Sequence, residues 1–244
     1  MNQYLESGQE ATPLARGMFC LVSAEQAREL AAVMASEYAR LAEGLPAPDR
    51  AGAASESDAC RLARLAVHIE LHRLDRTDLA VYQGREQLMA GATALLDKDA
   101  SLECHDAMRL LALLIDKLLR GGRSPQAKLD ELTITAMESR ALAAQSPNTG
   151  AVVQGSWRRK DRHQLGRASW LDVVEAALWC FWHSDDVQSG EALLGVLLGA
   201  DERVRLIYGL LAGAFYLADV TTPADAADVT TPADAVDCQS PTGG

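Results

Sequence analysis

The sequence predicts an all-α fold of about eight helices, followed by an acidic tail that does not fold. Three observations carry this prediction. No stretch alternates apolar and polar residues strongly enough to demand a strand, and AVVQGSW at 151–157 is the sole weak candidate. Alanine and leucine dominate while aromatics are only 5% of the chain, and both aliphatic residues lose little rotamer freedom in a helix. Capping residues also stand repeatedly ahead of segments with helical apolar periodicity.

Taken in order, Pro13 and Gly17 argue against a long helix before residue 22, although MFCLVS at 18–23 is apolar enough to pack. Ser23 with Gln26 forms a capping-box pattern, in which each side chain satisfies the other's free backbone N–H. The helix it opens carries Leu30, Val33, Met34, Tyr38 and Leu41, and Gly44 suits its C-terminal cap. LPAPDRAGAASES at 45–57 has the composition of a linker.

A helix follows from Asp58 to Leu74, and Thr77 or Asp78 can cap another over 79–97, weakened by Gly84 and Gly91 at about 1 kcal/mol each. AMRLLALLIDKLLR at 107–120 is apolar nearly all round, which predicts a helix at the centre of the core. Ser124–Pro125 is an N-cap followed by an N1 proline, opening a helix to about Ala144. Residues 146–168 read as a long loop holding the charged cluster Arg158, Arg159, Lys160, Asp161, Arg162. Ser169 caps a helix over 170–183, Ser189 or Gly190 opens 191–198, and the last helix runs from Glu202 to Leu217.

After Ala218 the sequence ADVTTPADA occurs twice in succession (218–226 and 227–235). This stretch has too few large apolar groups to offset chain entropy, so a disordered tail is expected over 219–244. The expected organisation is therefore an N-terminal helical segment and linker over 1–57, a helical domain over 58–218, and the tail.

The formal net charge is −11. The tail holds Asp219, Asp225, Asp228, Asp234 and Asp237 without Lys or Arg, so it carries −5 and the remainder −6. An acidic body argues against nucleic acid and anionic membrane as partners, because both need basic surface. The five cysteines are widely spaced and lack CxxC pairs, which fits reduced thiols in the cytoplasm. No signal peptide is expected from MNQYLESGQEA, and the apolar runs are too short to span a bilayer.

Residues 165–217 carry a resemblance. Gly166, Ala168, Ser169 and Trp170 lead into LDVVEAALWCFW (171–182), then EALLGVLLGAD (191–201), then YGLLAGAFYL (208–217). In order and spacing this resembles the C-terminal end of the ADP-ribosylglycohydrolases, all-helical Mg-dependent enzymes that remove ADP-ribose from proteins and small molecules. ECHDAMRLLALLIDKLLRGG (103–122) loosely resembles a family segment with a Thr-His pair, with Cys104 and His105 in those places.

The resemblance implies a pocket for ADP-ribose or an ADP-ribosylated substrate bordered by Gly166, Ser169 and Trp170. The charged cluster 158–162 shortly precedes Gly166, so Arg158 and Arg162 are expected donors to a diphosphate if that pocket is kept; a solvated charged loop is the simpler reading. It also implies Mg ligands among the carboxylates, with Asp201 matching the first aspartate of the family's C-terminal run and Glu202 beside it. Hard Mg demands oxygen ligands, yet Arg203 replaces the second aspartate, Val204 replaces a hydroxyl, and the family's glycine-rich Asp-Asp-Thr motif is absent. The expectation is a degenerate or truncated member, a pseudoenzyme with weak or no hydrolase activity. The alternatives are an active Mg-dependent hydrolase and a helical interaction module without a small-molecule site.

Other constellations read as structural. His68 and His72 share a helix face with Asp75, a spacing that can hold Zn, but polar residues on a wet helix face are the simpler reading. Cys104–His105 has no orienting acid. Asp185–Asp186 read as helix-start charges favoured by the dipole.

Overall fold

The computed structural model describes residues 11–45, 56–74, 81–97, 99–197 and 201–218. Among these residues there is no strand. The helices are α1 (Pro13–Phe19), α2 (Ala24–Ala42), α3 (Asp58–Leu74), α4 (Val81–Ala94), α5 (Leu102–Arg120), α6 (Pro125–Glu131), α7 (Ala136–Leu142), α8 (Thr149–Val153), α9 (Trp170–Trp182), α10 (Val187–Leu197) and α11 (Glu202–Ala212). The described part thus has eleven α-helices, more than the eight or so that the pattern predicts.

Local signals place several boundaries well. Ser23 and Gln26 cap α2 reciprocally. Gly44 takes φ +66°, and the N–H groups of Gly44 and Leu45 return to Leu41 O and Arg40 O, which closes the helix as a Schellman motif. Ser124 caps α6 with Pro125 in its first turn. The proposed caps Thr77 and Asp78, Asp75, most of the linker and the tail lie outside the described residues.

Three helices are extra: α1, a seven-residue helix capped by Thr12 with Pro13 in its first turn, and α7 and α8. The helix expected over 125–144 divides because Thr133, Ile134 and Thr135 are β-branched and Thr135 forms its own capping box with Glu138. The expected loop 146–168 contains α8 and 3₁₀ turns at Ser156–Arg158 and Arg162–Gln164, so the weak strand candidate is helical. Helix α5 begins earlier than expected, capped by Ser101. Helix α10 also begins earlier, and the start is marked by Ser189 N–H donating to Asp186 Oδ1 at 2.7 Å.

Helix α5 is central, as its apolar circumference predicts: from Ala107 to Leu119 only Arg109 escapes burial. It packs on α3, α4, α9 and α11. Its one buried acid near the N-terminus, Asp106, accepts from Gln145 N, Ser146 N and Thr149 Oγ1, which ties down the α7–α8 connection. Residues of α1 and α2, including Leu14, Met18, Leu30 and Met34, belong to the same core cluster as α3 to α11.

Helix α1 crosses α11 backbone to backbone. A Cβ on Gly17 would lie 2.1 Å from Gly209 O, and one on Gly213 would lie 2.4 Å from Pro13 O. Beyond Ala212 the chain continues as a π segment, Gly213–Leu217, and Arg16 Nη2 donates to Leu217 O at 2.7 Å.

Candidate functional site

Gly166, Ser169 and Trp170 lie at the start of α9. Ser169 Oγ accepts from Asp172 N–H, and Asp172 Oδ2 accepts from Ser169 N–H, so the pair forms a capping box. Gly166 lies against that carboxylate, where an added Cβ would come within 2.7 Å of Asp172 Cγ. Trp170 is half-buried against the core. Gly166, Ser169 and Asp172 therefore make one local turn that aims the chain into α9.

The carboxylates expected to hold Mg are close to this turn, and both have other partners. Asp201 caps α11 by accepting from Arg203 N at 3.1 Å and Val204 N at 3.4 Å. Its Oδ2 lies 3.5 Å from Arg203 Nη2, which also donates to Arg167 O at 3.1 Å. Arg203 thus bridges the turn and the α11 cap. Glu202 points to α2, accepting from Gln26 Nε2 at 2.9 Å. Among the described residues no group of three or more His, Cys, Asp or Glu comes together as a metal site.

Arg158 and Arg162 sit elsewhere on the preceding segment. Gly155 takes φ +79°, a left-handed conformation that turns the chain into Trp157. Trp157 is buried edge-on against Trp182, with ring centroids 5.8 Å apart. The Arg158 guanidinium lies 4.6 Å over Trp157 and 5.4 Å from Trp182, a cation–π seat. Its Nη2 donates to Thr133 Oγ1 at 3.3 Å, its buried Nε has no hydrogen-bond partner, and burial lowers its pKa. Arg159 and Arg162 are exposed.

Two residues organise this region without any local signal in the sequence. Glu175, in the middle of α9, is buried and accepts from Ser156 Oγ and Lys160 Nζ. Trp179 Nε1 donates to Lys160 O at 2.9 Å, so α9 anchors the loop at three points. Lys128 of α6 is buried and donates to Ser184 O at 2.6 Å and Tyr216 Oη at 2.7 Å. Its ammonium lies 4.3 Å from the Phe181 ring centre, and desolvation lowers its pKa to about 8. Ser184 Oγ donates to Phe181 O at 2.9 Å, so this cluster closes the end of α9 and presents no free nucleophile.

The remaining candidates resolve into packing. His68 does not face solvent as a wet-face reading implies: its Nε2 meets Leu88 O at 3.0 Å and its ring fills the space beside Gly91. Burial lowers its pKa. Cys104 is buried, and desolvation raises its thiol to about 11, the wrong direction for a thiolate nucleophile. A pocket of about 260 Å³ lies between α4, α5 and α7, floored by Met89, Leu113 and Ala141 with the Arg85–Glu138 ion pair beside it.

Fold and site together define a class: an α-helical protein built around one buried helix, with a tryptophan-backed arginine at the C-terminal end of α9, away from the Gly166–Ser169 turn at its start. Compared with known proteins, the chain matches no family model, no curated protein and no solved structure. Among the described residues no helix is long and apolar enough to cross a membrane.

Proposed function

We propose that this chain is a degenerate relative of the ADP-ribosylglycohydrolases that holds ADP-ribosyl ligands weakly and does not hydrolyse them. The observation that carries the reading is Arg203. Its guanidinium stands beside Asp201 and binds Arg167 O, and in the sequence resemblance position 203 is where the ADP-ribosylglycohydrolases carry a second metal carboxylate. A divalent ion there meets charge repulsion, and Asp201 already caps α11. Arg158 and Arg162 supply donors for a diphosphate, since guanidinium groups pair with phosphate oxygens in forked geometry.

Calorimetric titration of ADP-ribose with and without Mg tests this reading. The expected result is weak binding that is indifferent to Mg, with no release of ADP-ribose from a modified protein. Mg-dependent binding accompanied by hydrolysis overturns it in favour of an active enzyme. No heat at millimolar ligand also overturns it and leaves a helical interaction module.

A further inference from the structure

We propose that the 158–164 loop is a docking surface for the acidic C-terminal tail of the same chain. The loop segment 158–167 contains Arg158, Arg159, Lys160, Arg162 and Arg167 against Asp161 alone, a net +4 in a chain of net −11. Lys160 is taken by Glu175. Among the described residues, Arg158, Arg159 and Arg162 have no carboxylate partner, although acids outnumber Lys and Arg by 34 to 23. Arg158 is seated over two indole rings and bonded to Thr133 Oγ1, so its guanidinium is positioned before an anion arrives.

The tail is the complementary charge nearest to hand. After Ala218 come 26 residues (244 − 218) with five aspartates and no Lys or Arg. Helix α6 links the point where they begin to the loop. Tyr216 binds Lys128 of α6, and Thr133, five residues on, binds Arg158. A chain of that length reaches about 85 Å when extended, and tethering supplies a millimolar effective concentration. The docking does not rest on ADP-ribosyl binding, because arginine and aspartate attract whether or not a nucleotide is present. It does place the tail in competition with any other anion for the same guanidinium groups.

The test uses the full chain. Cys238 is the tail's single cysteine, and Cys104 and Cys180 are buried, so C20S/C60S permits a nitroxide on Cys238 alone. With ¹⁵N labelling, the amides of residues 158–164 are expected to lose most of their intensity at low ionic strength. They should recover in about 0.5 M salt, where exposed charges are screened within a few ångströms. R159E/R162E should restore them, with the other amide signals unchanged as the check on folding. Intensity loss that is absent from 158–164, insensitive to salt, or unchanged in R159E/R162E overturns the proposal. So does equal loss when nitroxide-bearing chains without ¹⁵N are mixed with ¹⁵N chains lacking the nitroxide, because the contact is then between copies.

Discussion

Arg203 and Asp201 form an ion pair, Nη2 lying 3.5 Å from Oδ2, while Asp201 Oδ1 caps α11 through the backbone N–H groups of Arg203 and Val204. The carboxylate thus has a structural task that an amide can perform. Asp201→Asn is expected to keep the stability within a few tenths of a kcal/mol, and Asp201→Ala to lose about 1 kcal/mol, because Asn caps as well as Asp and Ala does not. Urea denaturation reads this difference. A metal ligand would behave otherwise, with Asn and Ala equally damaging to any Mg-dependent activity.

The α1–α11 crossing predicts a strong asymmetry among glycines. Gly17→Ala drives a methyl into Gly209 O, and neither backbone yields without moving a helix. A loss of about 1–3 kcal/mol or more is expected. Gly195, in α10, has nothing within 4 Å of a built Cβ, so Gly195→Ala should instead stabilise by about 1 kcal/mol. Thermal unfolding of the two variants should move in opposite directions.

Glu138 holds Lys117 at 3.0 Å and Arg85 at 2.8 Å, and both Lys117 and Glu138 are buried. Removing the acid strands a buried ammonium, so Glu138→Ala should cost about 3–5 kcal/mol. Thr135 N–H, Lys117 and Arg85 hold the Glu138 pKa below the usual carboxylate range against an opposing effect of burial. Its stabilising contribution is therefore present above the unfolded value, 4.5, and is lost as pH falls through the lower folded value. Glu138→Gln should flatten the acid limb of a stability–pH curve.

The alkaline limb has a different origin. Burial raises Cys104 to about 11 and Cys180 to about 12 from an ordinary 9. The folded state keeps protons that the unfolded chain gives up, so stability falls as pH rises above 9 toward the folded values. Lys128 opposes this: its pKa is lowered to about 8 from 10.5, so over that interval the unfolded chain binds more protons and stability rises with pH. With two thiols against one amine, net loss above pH 9 is expected. Cys180→Ala should weaken the loss of stability measured by denaturation between pH 9 and 10.5.

Much of the helix map is legible in the sequence where a signal closes within one turn. Ser23–Gln26, Ser124–Pro125 and Ser169 each start a helix where their chemistry predicts. The Thr135–Glu138 box is equally local, but the apolar periodicity that runs across it hides the break. The candidate site is less legible. Ser169 and Gly166 mark the α9 turn, whereas Glu175 looks like one polar residue within an apolar helix, and Lys128 in QAKLD reads as an ordinary surface lysine.

The sequence by itself determined the all-helical character, the acidic balance and the central place of α5, because composition, capping and a 3.6-residue period act over a few neighbouring residues. Only the tertiary structure decided that Gly17 meets Gly209, that Arg16 holds Leu217, and that Arg203 reaches Arg167. Those partners stand 36 to 201 residues apart in the chain. No local preference encodes such pairs. They arise when the packing of whole helices removes water from a site and leaves each buried polar group, or each close backbone approach, to be matched by whatever the opposing element presents.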